Sequence, residues 1–184
     1  TGAAFLELGI GARAAAMGGA HVAWADDVYG MYYNPAGTAR AARRAVGFVH
    51  NTLYEEMNYN YLGYLHPLSP GGVFAFSALY VDLGDVERTT VSSGLANTSL
   101  GRASGADLAV SASYAHVVSE FLDLGATVKA IHGRLDRYTA TAGAIDLGAR
   151  FHPGPPGFTI GASVANLGTK LQYLRRSESL PLTL

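Results

Sequence analysis

Ionisable side chains are the residues of this chain that could do chemistry, and they are sparse. Charged residues make up 15% of the 184 residues and the formal net charge is -1, so composition gives no basis for a nucleic-acid surface. The chain has no cysteine, which excludes disulfides and thiolate metal sites. Its six histidines have neither the i, i+4 pairing nor the spacing of a metal site, and no Gly-x-Ser-x-Gly elbow is present. The sequence therefore predicts a protein that is not an enzyme and holds neither a cofactor nor a metal ion.

An acidic pair, Asp26 and Asp27, stands before an aromatic run that ends at Tyr33. A carboxylate at this place accepts the free amide hydrogens of a first helical turn, so Asp26 is predicted to cap a short helix over residues 27–33. Two other hypotheses stay open for the pair, namely the binding of a cation and an ion pair with Arg13. In each case the pair belongs to the segment 12–39, around which the chain is organised.

An Asn-Pro-Ala-Gly motif follows the predicted helix. Pro35 cannot donate a backbone hydrogen bond and pushes Asn34 out of the helical region, so the motif is predicted to end the helix. It is either a fixed turn or a movable latch. Glycines on both sides of the helix mark places where the backbone can bend sharply or be approached closely. The candidate residues of this segment are Gly18, Gly19, Asp26, Asp27, Asn34, Pro35, Ala36 and Gly37.

Everything after residue 44 reads as amphipathic β-strands. We predict strands at 45–54, 58–66, 73–82, 105–117, 122–133, 141–152 and 157–167, and the start of an eighth from 180. In the later strands one face is purely apolar, whereas the other carries glycine, small polar residues and a few charges. The charged residues of this second face are Asp107, Asp123, Lys129, Asp146 and Arg150.

The composition of the second face separates two architectures. A soluble β-sandwich with a ligand pocket needs strongly polar residues outside, and glycine, serine and threonine are thin cover for a solvated surface. In an outer-membrane barrel the apolar face meets lipid and the second face lines a polar or plugged interior. Strands of about ten residues also suit a tilted crossing of the hydrocarbon layer. The pattern favours an all-β fold, an antiparallel transmembrane β-barrel or part of one, with the soluble sandwich as the alternative.

On this interpretation, residues 1–44 form an N-terminal plug containing the short helix, and residues 45–184 form barrel wall that is incomplete at its C-terminus. The five charges then line the lumen. They form either a ladder that positions the plug or screens solutes, or a network that only keeps buried charges paired.

Connection lengths orient the predicted wall. The connections 66–72, 118–121 and 153–156 are short, whereas 83–104, 135–140 and 168–179 are mostly longer and more polar, which is typical of bacterial barrels with short periplasmic turns. Tyrosines near the other ends are expected at the outer rim, where amphipathic rings favour the headgroup level. They are Tyr54, Tyr59, Tyr61, Tyr80, Tyr138 and Tyr173.

Several stretches carry a family resemblance: residues 9–13, 17–20, 25–27 and 34–37 of the plug, and 129–138, 146–148 and 165–168 of the wall. They resemble the PorV/PorQ family of outer-membrane proteins, which is related to the FadL-type hydrocarbon transporters. The resemblance implies a barrel of about fourteen strands in the bacterial outer membrane, with the Asn-Pro-Ala segment in its plug. A start at a residue other than Met is expected for a chain whose signal peptide has been removed.

The family divides over function. FadL-type members pass hydrophobic molecules through the outer membrane, whereas PorV-type members serve the type IX secretion system as shuttles or docking barrels. The implied partners are membrane lipid, together with either a hydrophobic or lipid-linked ligand or secretion and surface-assembly proteins. The alternative is an interaction or scaffold barrel with a sealed lumen.

Overall fold

The computed structural model describes residues 2–54, 56–68, 71–92, 95–154, 157–173 and 176–184, and the side chains of these residues except 86–100 and 176. Seven antiparallel strands form one sheet in which each strand pairs with its neighbours in the chain. Their bounds are β1 (Ala45–Tyr54), β2 (Met57–Leu68), β3 (Gly72–Ser92), β4 (Leu95–Val117), β5 (Leu122–Leu135), β6 (Tyr138–Phe151) and β7 (Ile160–Gly168). The prediction of an all-β antiparallel fold is confirmed. Among the described residues the sheet is not closed into a barrel, since β1 and β7 are its two edges.

The predicted polar loop over residues 83–104 is wrong. The strands β3 and β4 continue past the end of β2 as a hairpin, with register pairs from Asp85 and Ser104 up to Ser92 and Leu95. Threonine and valine in residues 89–91 favour a pleated backbone, and a polar composition does not interrupt a ladder that is already paired. Residues 93–94 lie outside the described residues.

The predicted long connection at 135–140 is wrong too, because Leu135 pairs with Tyr138 and leaves a two-residue turn. The difference in loop length between the two ends of the sheet is therefore smaller than expected. Of the predicted short turns, residues 69–70 and 155–156 lie outside the described residues.

The last part of the chain folds back over one face of the sheet. Two short strands, β8 (Leu171–Tyr173) and β9 (Arg176–Glu178), pair with each other. The predicted eighth strand is reduced to a single bridge, in which Ala165 and Thr183 exchange backbone hydrogen bonds of 2.9 and 3.2 Å.

Residues 2–44, which we call the N-terminal segment, contain more turns than the sequence predicted. A 3₁₀ turn (Ala4–Glu7) and α1 (Ala12–Ala16) were not predicted. The predicted helix exists only as α2 (Gly30–Tyr33). A second 3₁₀ helix (Pro35–Arg40) leads to the first strand.

The predicted cap by Asp26 is wrong. The residue before α2 is Tyr29, and its backbone N–H donates a hydrogen bond of 2.9 Å to Asp27 Oδ1. The carboxylate therefore serves the turn before the helix, because the chain bends at residues 27–29 before it becomes helical. Asn34 ends α2 in an extended conformation, as predicted.

A hydrophobic core lies between the N-terminal segment and the inner face of the sheet, the face that the segment covers. Its buried residues include Phe5, Leu6 and Ile10 of the segment. The predicted rim positions of Tyr59 and Tyr61 are wrong, since both rings lie in this core and their hydroxyls donate to Gly9 O and Val28 O, whereas Tyr54 and Tyr80 are exposed. In a strand of period two, both tyrosines alternate with exposed or half-buried asparagines, which puts them on the inner face. None of the residues that the structure describes covers the opposite, outer face.

The outer face carries large apolar side chains. Leu124, Val128, Leu147 and Ile160 are between 44% and 58% exposed. These residues do not converge on a core, so the apolar faces of the later strands point away from the interior of the fold. Among the described residues, no helix is long and apolar enough to cross a membrane.

Candidate functional site

A row of glycines on the inner face lets the N-terminal backbone lie directly on the sheet. A Cβ at Gly125 would meet the Pro35 carbonyl carbon at 2.5 Å, and one at Gly148 would meet Pro35 Cδ at 2.9 Å. A Cβ at Gly161 would meet Ala23 Cα at 2.6 Å. Contacts of this length exclude any side chain, so these glycines are required by close approach and not by an unusual backbone angle. The sequence indicated these positions, because each of the three glycines stands on the polar face of its strand.

Asn34 ties the segment to the sheet with its whole amide group. Its Nδ2 donates to Val22 O at 2.9 Å and to Ala149 O at 3.1 Å, and its Oδ1 accepts from Ala36 N at 3.0 Å. The side chain is fully buried. Because both donors and the acceptor are satisfied, Asn34 caps the following 3₁₀ helix and anchors it to β6 at the same time.

Two of the predicted lumen charges bind the 3₁₀ helix that contains the Asn-Pro-Ala-Gly motif. Asp123 accepts from Arg40 Nε at 3.0 Å on Oδ1 and 2.9 Å on Oδ2, and His152 Nε2 lies 2.8 Å from the same Oδ2. Arg150 donates from Nη1 to Gly37 O at 2.7 Å. Sequence reasoning missed Arg40 and His152 as partners, since an arginine outside the strands gives no sign of which carboxylate it meets.

The next pair of predicted charges forms a buried ion pair in the middle of the inner face. Lys129 Nζ lies 2.7 Å from Asp146 Oδ2 and donates to Asn166 Oδ1 at 2.9 Å. Asp146 Oδ1 accepts a hydrogen bond of 2.8 Å from the backbone N–H of Asn166. Asn166 has a left-handed backbone at φ 64°, where the register of β6 and β7 shifts. The bulge turns this asparagine inward, and no alternation pattern could have revealed it.

The fifth predicted lumen charge lies apart from the other four. Asp107 is half-buried beside Gly133 and the Tyr173 ring. It stands four residues above Lys129 along the sheet, because its register partner is Gly133. The five charges therefore do not form one cluster: Asp123 and Arg150 share a register row, Lys129 and Asp146 form a separate pair, and Asp107 lies beyond that pair.

The acidic pair and the glycine pair lie at the exposed side of the segment. Asp26 binds Arg13 Nη1 at 2.6 Å, and the Arg13 guanidinium also stacks over the Trp24 ring at 5.5 Å. Gly18 and Gly19 have φ of 62° and 84°, left-handed angles that end α1 and turn the chain. This arrangement fits the hypothesis of an ion pair with Arg13.

His21 is buried behind this pair. Its Nδ1 has no hydrogen-bond partner among the described residues, and its Nε2 is 3.8 Å from Asp27 Oδ2. Burial lowers the pKa of His21 below its usual 6.5, and Asp27 opposes that shift. The imidazole is therefore favoured in its neutral form, packed edge-on against Tyr33.

A cavity of about 520 Å³ remains between the segment and β7. Leu6, Tyr32 and Tyr33 line its segment side, and Lys129 and Asn166 line its sheet side. The lining is mixed, because charged and polar side chains, Glu7 among them, lie beside the apolar ones. This chemistry suits a small amphipathic group.

The part of the chain that the structure describes contains no group of three or more His, Asp or Glu side chains that could hold a metal ion. No protein-family model, curated protein or solved structure matches the chain.

Proposed function

We propose that this chain forms part of the wall of a bacterial outer-membrane β-barrel of the PorV/FadL-like type, in which the N-terminal segment is the plug. The observation that carries the proposal is the reversed polarity of β4 to β7. Their buried face holds the Lys129 and Asp146 ion pair, and their exposed face holds leucine, valine and isoleucine. In water this arrangement would leave the apolar face exposed to solvent while charges are buried. Hydrocarbon outside the sheet removes the cost of exposing the apolar face to water.

The edges of the sheet define what the proposed barrel still needs. An unpaired strand edge in hydrocarbon costs several kcal/mol for each unsatisfied backbone group. Closure therefore requires strands beside β1 and β7, and the bridge between Ala165 and Thr183 supports pairing at the β7 edge.

The proposed activity is the handling of hydrophobic or lipid-linked cargo, or service to protein secretion, without an enzymatic step. The cavity beside Tyr32 and Tyr33, with its mixed lining, supports a small occupant that has an alkyl chain and a polar end. The alternative is an interaction or scaffold barrel with a sealed lumen. It is favoured by the anchoring of the segment through Asn34, Arg40 and Gly37, which leaves the plug little freedom to move.

Membrane extraction tests the wall. We expect the protein to stay in the membrane pellet through an alkaline carbonate wash and to need detergent for release. Leu147→Arg should reduce the membrane-inserted fraction, because arginine near the bilayer midplane costs about 2–4 kcal/mol. Thr139→Arg, at the end of the same strand, is the matched control and should insert normally. Release by carbonate alone would overturn the proposal.

Photolabelling with an alkyl diazirine separates the two functions. For a cargo-handling barrel, label should appear on the peptide that contains Tyr32 and Tyr33 as well as on the outer faces of the strands. Label confined to the outer faces would contradict cargo handling and favour the scaffold.

A further inference from the structure

The outer face changes polarity at one hydrogen-bond row. Register pairs join six outer residues across β1 to β6, and we call this set the boundary row: His50, Asn60, Tyr80, Leu108, His132 and Thr141. All but Leu108 carry a hydrogen-bonding side chain. The next outer row on one side is Phe48, Leu62, Ala78, Val110, Ala130 and Gly143, which has no polar side chain. The next outer row on the other side is Thr52, Asn58, Asp82, Ala106, Arg134 and Thr139.

The inner face of β4 to β6 changes polarity at the same level and in the opposite sense. Below the boundary row it carries Lys129 and its ion pair. Ala109 and Ile131, one residue below the row, and Ala140, one residue above it, pack in the hydrophobic core, and Asp107 is half-buried at the level of Ala140. On β5 both changes fall within four consecutive residues. Lys129 points inward and Ala130 outward, after which apolar Ile131 points inward and polar His132 points outward.

A strand with opposite polarities at its two ends is stable only if the two ends meet different solvents. Above the boundary row the exterior of β4 to β6 is polar and the inner face is mostly apolar, with Asp107 as a half-buried exception, so the polarity there approaches that of a soluble protein. Below it the polarity is reversed. On β5 the outer apolar stretch runs from Leu122 to Ala130, and nine residues at about 3.3 Å each extend about 30 Å, long enough for the apolar band of about 25 Å in outer-membrane barrels.

We propose that the bilayer hydrocarbon ends at the boundary row, where lipid headgroups contact His50, Asn60, Tyr80 and His132. The inference rests on the proposed function, because it needs the outer face to meet lipid. The upper ends of the strands and the base of the β3–β4 hairpin stand outside the hydrocarbon, and their own hydrophobic core holds them together. The lipid partner is a layer of polar headgroups that accept and donate hydrogen bonds, and it borders the sheet along one row.

The experiment uses spin labels on the full chain reconstituted in phosphatidylcholine vesicles. The chain has no cysteine, so single-cysteine variants can be labelled cleanly. On β5, Val128→Cys lies on the hydrocarbon side of the limit and His132→Cys lies in the boundary row at headgroup level, and both positions are exposed. Collisions with oxygen, which concentrates in lipid, are compared with collisions with a water-soluble nickel chelate. Phe48→Cys and Thr52→Cys repeat the comparison on β1, which guards against local damage at one strand.

We expect labels at residues 128 and 48 to meet oxygen at least severalfold more than the nickel chelate, and labels at 132 and 52 to show the reverse preference. Oxygen preference at all four positions would overturn the boundary while leaving the lipid-facing wall intact. Nickel preference at all four would overturn the wall itself, and with it the proposed function.

Discussion

Removal of one partner of the buried ion pair should destabilise the fold far more than removal of both. In Lys129→Met the Asp146 carboxylate stays buried, since the side chains of the pair are only 6% and 1% exposed. Asp146 would keep the Asn166 amide at Oδ1 and lose the ammonium beside Oδ2. Loss of one partner of a buried pair costs about 3–5 kcal/mol, so we expect that decrease in the free energy of unfolding.

The double variant Lys129→Met with Asp146→Asn removes both charges and keeps an acceptor for the Asn166 amide. We expect it to recover most of the loss, because two neutral groups need no mutual compensation. Arg102→Met is the matched control on an exposed pair. Its guanidinium lies 3.7 Å from Asp85 with both side chains largely in solvent, so the loss should stay below about 1 kcal/mol.

The assay is urea unfolding in detergent micelles with two readouts. The chain has a single tryptophan, and the emission of Trp24 reports on the N-terminal segment while far-ultraviolet circular dichroism reports on the sheet. A loss under about 1 kcal/mol for Lys129→Met, or a double variant as unstable as the single one, would refute the assignment of a desolvated, mutually compensating pair.

Three further predictions concern the segment. Gly125→Ala should displace the segment and lower the free energy of unfolding by several kcal/mol, because the added Cβ would overlap the Pro35 backbone. Gly143→Ala is the control and should be nearly neutral in the same urea assay, because the nearest atom to its Cβ would be 3.8 Å away. Asn34→Ala should cost about 2–4 kcal/mol by leaving buried backbone groups unpaired, and an unchanged midpoint would contradict the anchor. The lowered pKa of His21 means that stability is complete above pH 6.5 and falls as the pH drops toward the folded-state pKa; His21→Gln should remove that dependence from a pH series of unfolding midpoints.

The strands could be predicted from the sequence because period-two alternation is a local property. Seven strands lie where the sequence predicted strands, although β3 and β4 extend beyond their predicted ends, and the inward position of Asp123, Lys129, Asp146 and Arg150 follows from the alternation of the later strands. The continuation of β3 and β4 as a hairpin could not be read in this way. Their polar residues alternate weakly, and the pairing depends on a partner strand that no local pattern identifies.

The N-terminal segment was harder to predict because long-range contacts decide its shape. Asp26 has the composition of a helix cap, yet it binds Arg13, thirteen residues away in the chain. The bend at residues 27–29 then delays α2 by three residues from its expected start. Tyr61 was misplaced at the rim because an amphipathic ring suits both a headgroup layer and a buried site with one carbonyl to receive its hydroxyl.

Hydroxyl-radical footprinting of the unmodified chain in lipid vesicles tests most directly whether the outer face meets hydrocarbon. Phe76 lies in the apolar part of this face and is 48% exposed on the isolated sheet, and Tyr54 at the end of β1 is 72% exposed. The account predicts strong modification of Tyr54 and almost none of Phe76, because acyl chains exclude the aqueous radical. Modification of Phe76 in proportion to its exposure would show that water covers this face and would contradict the account.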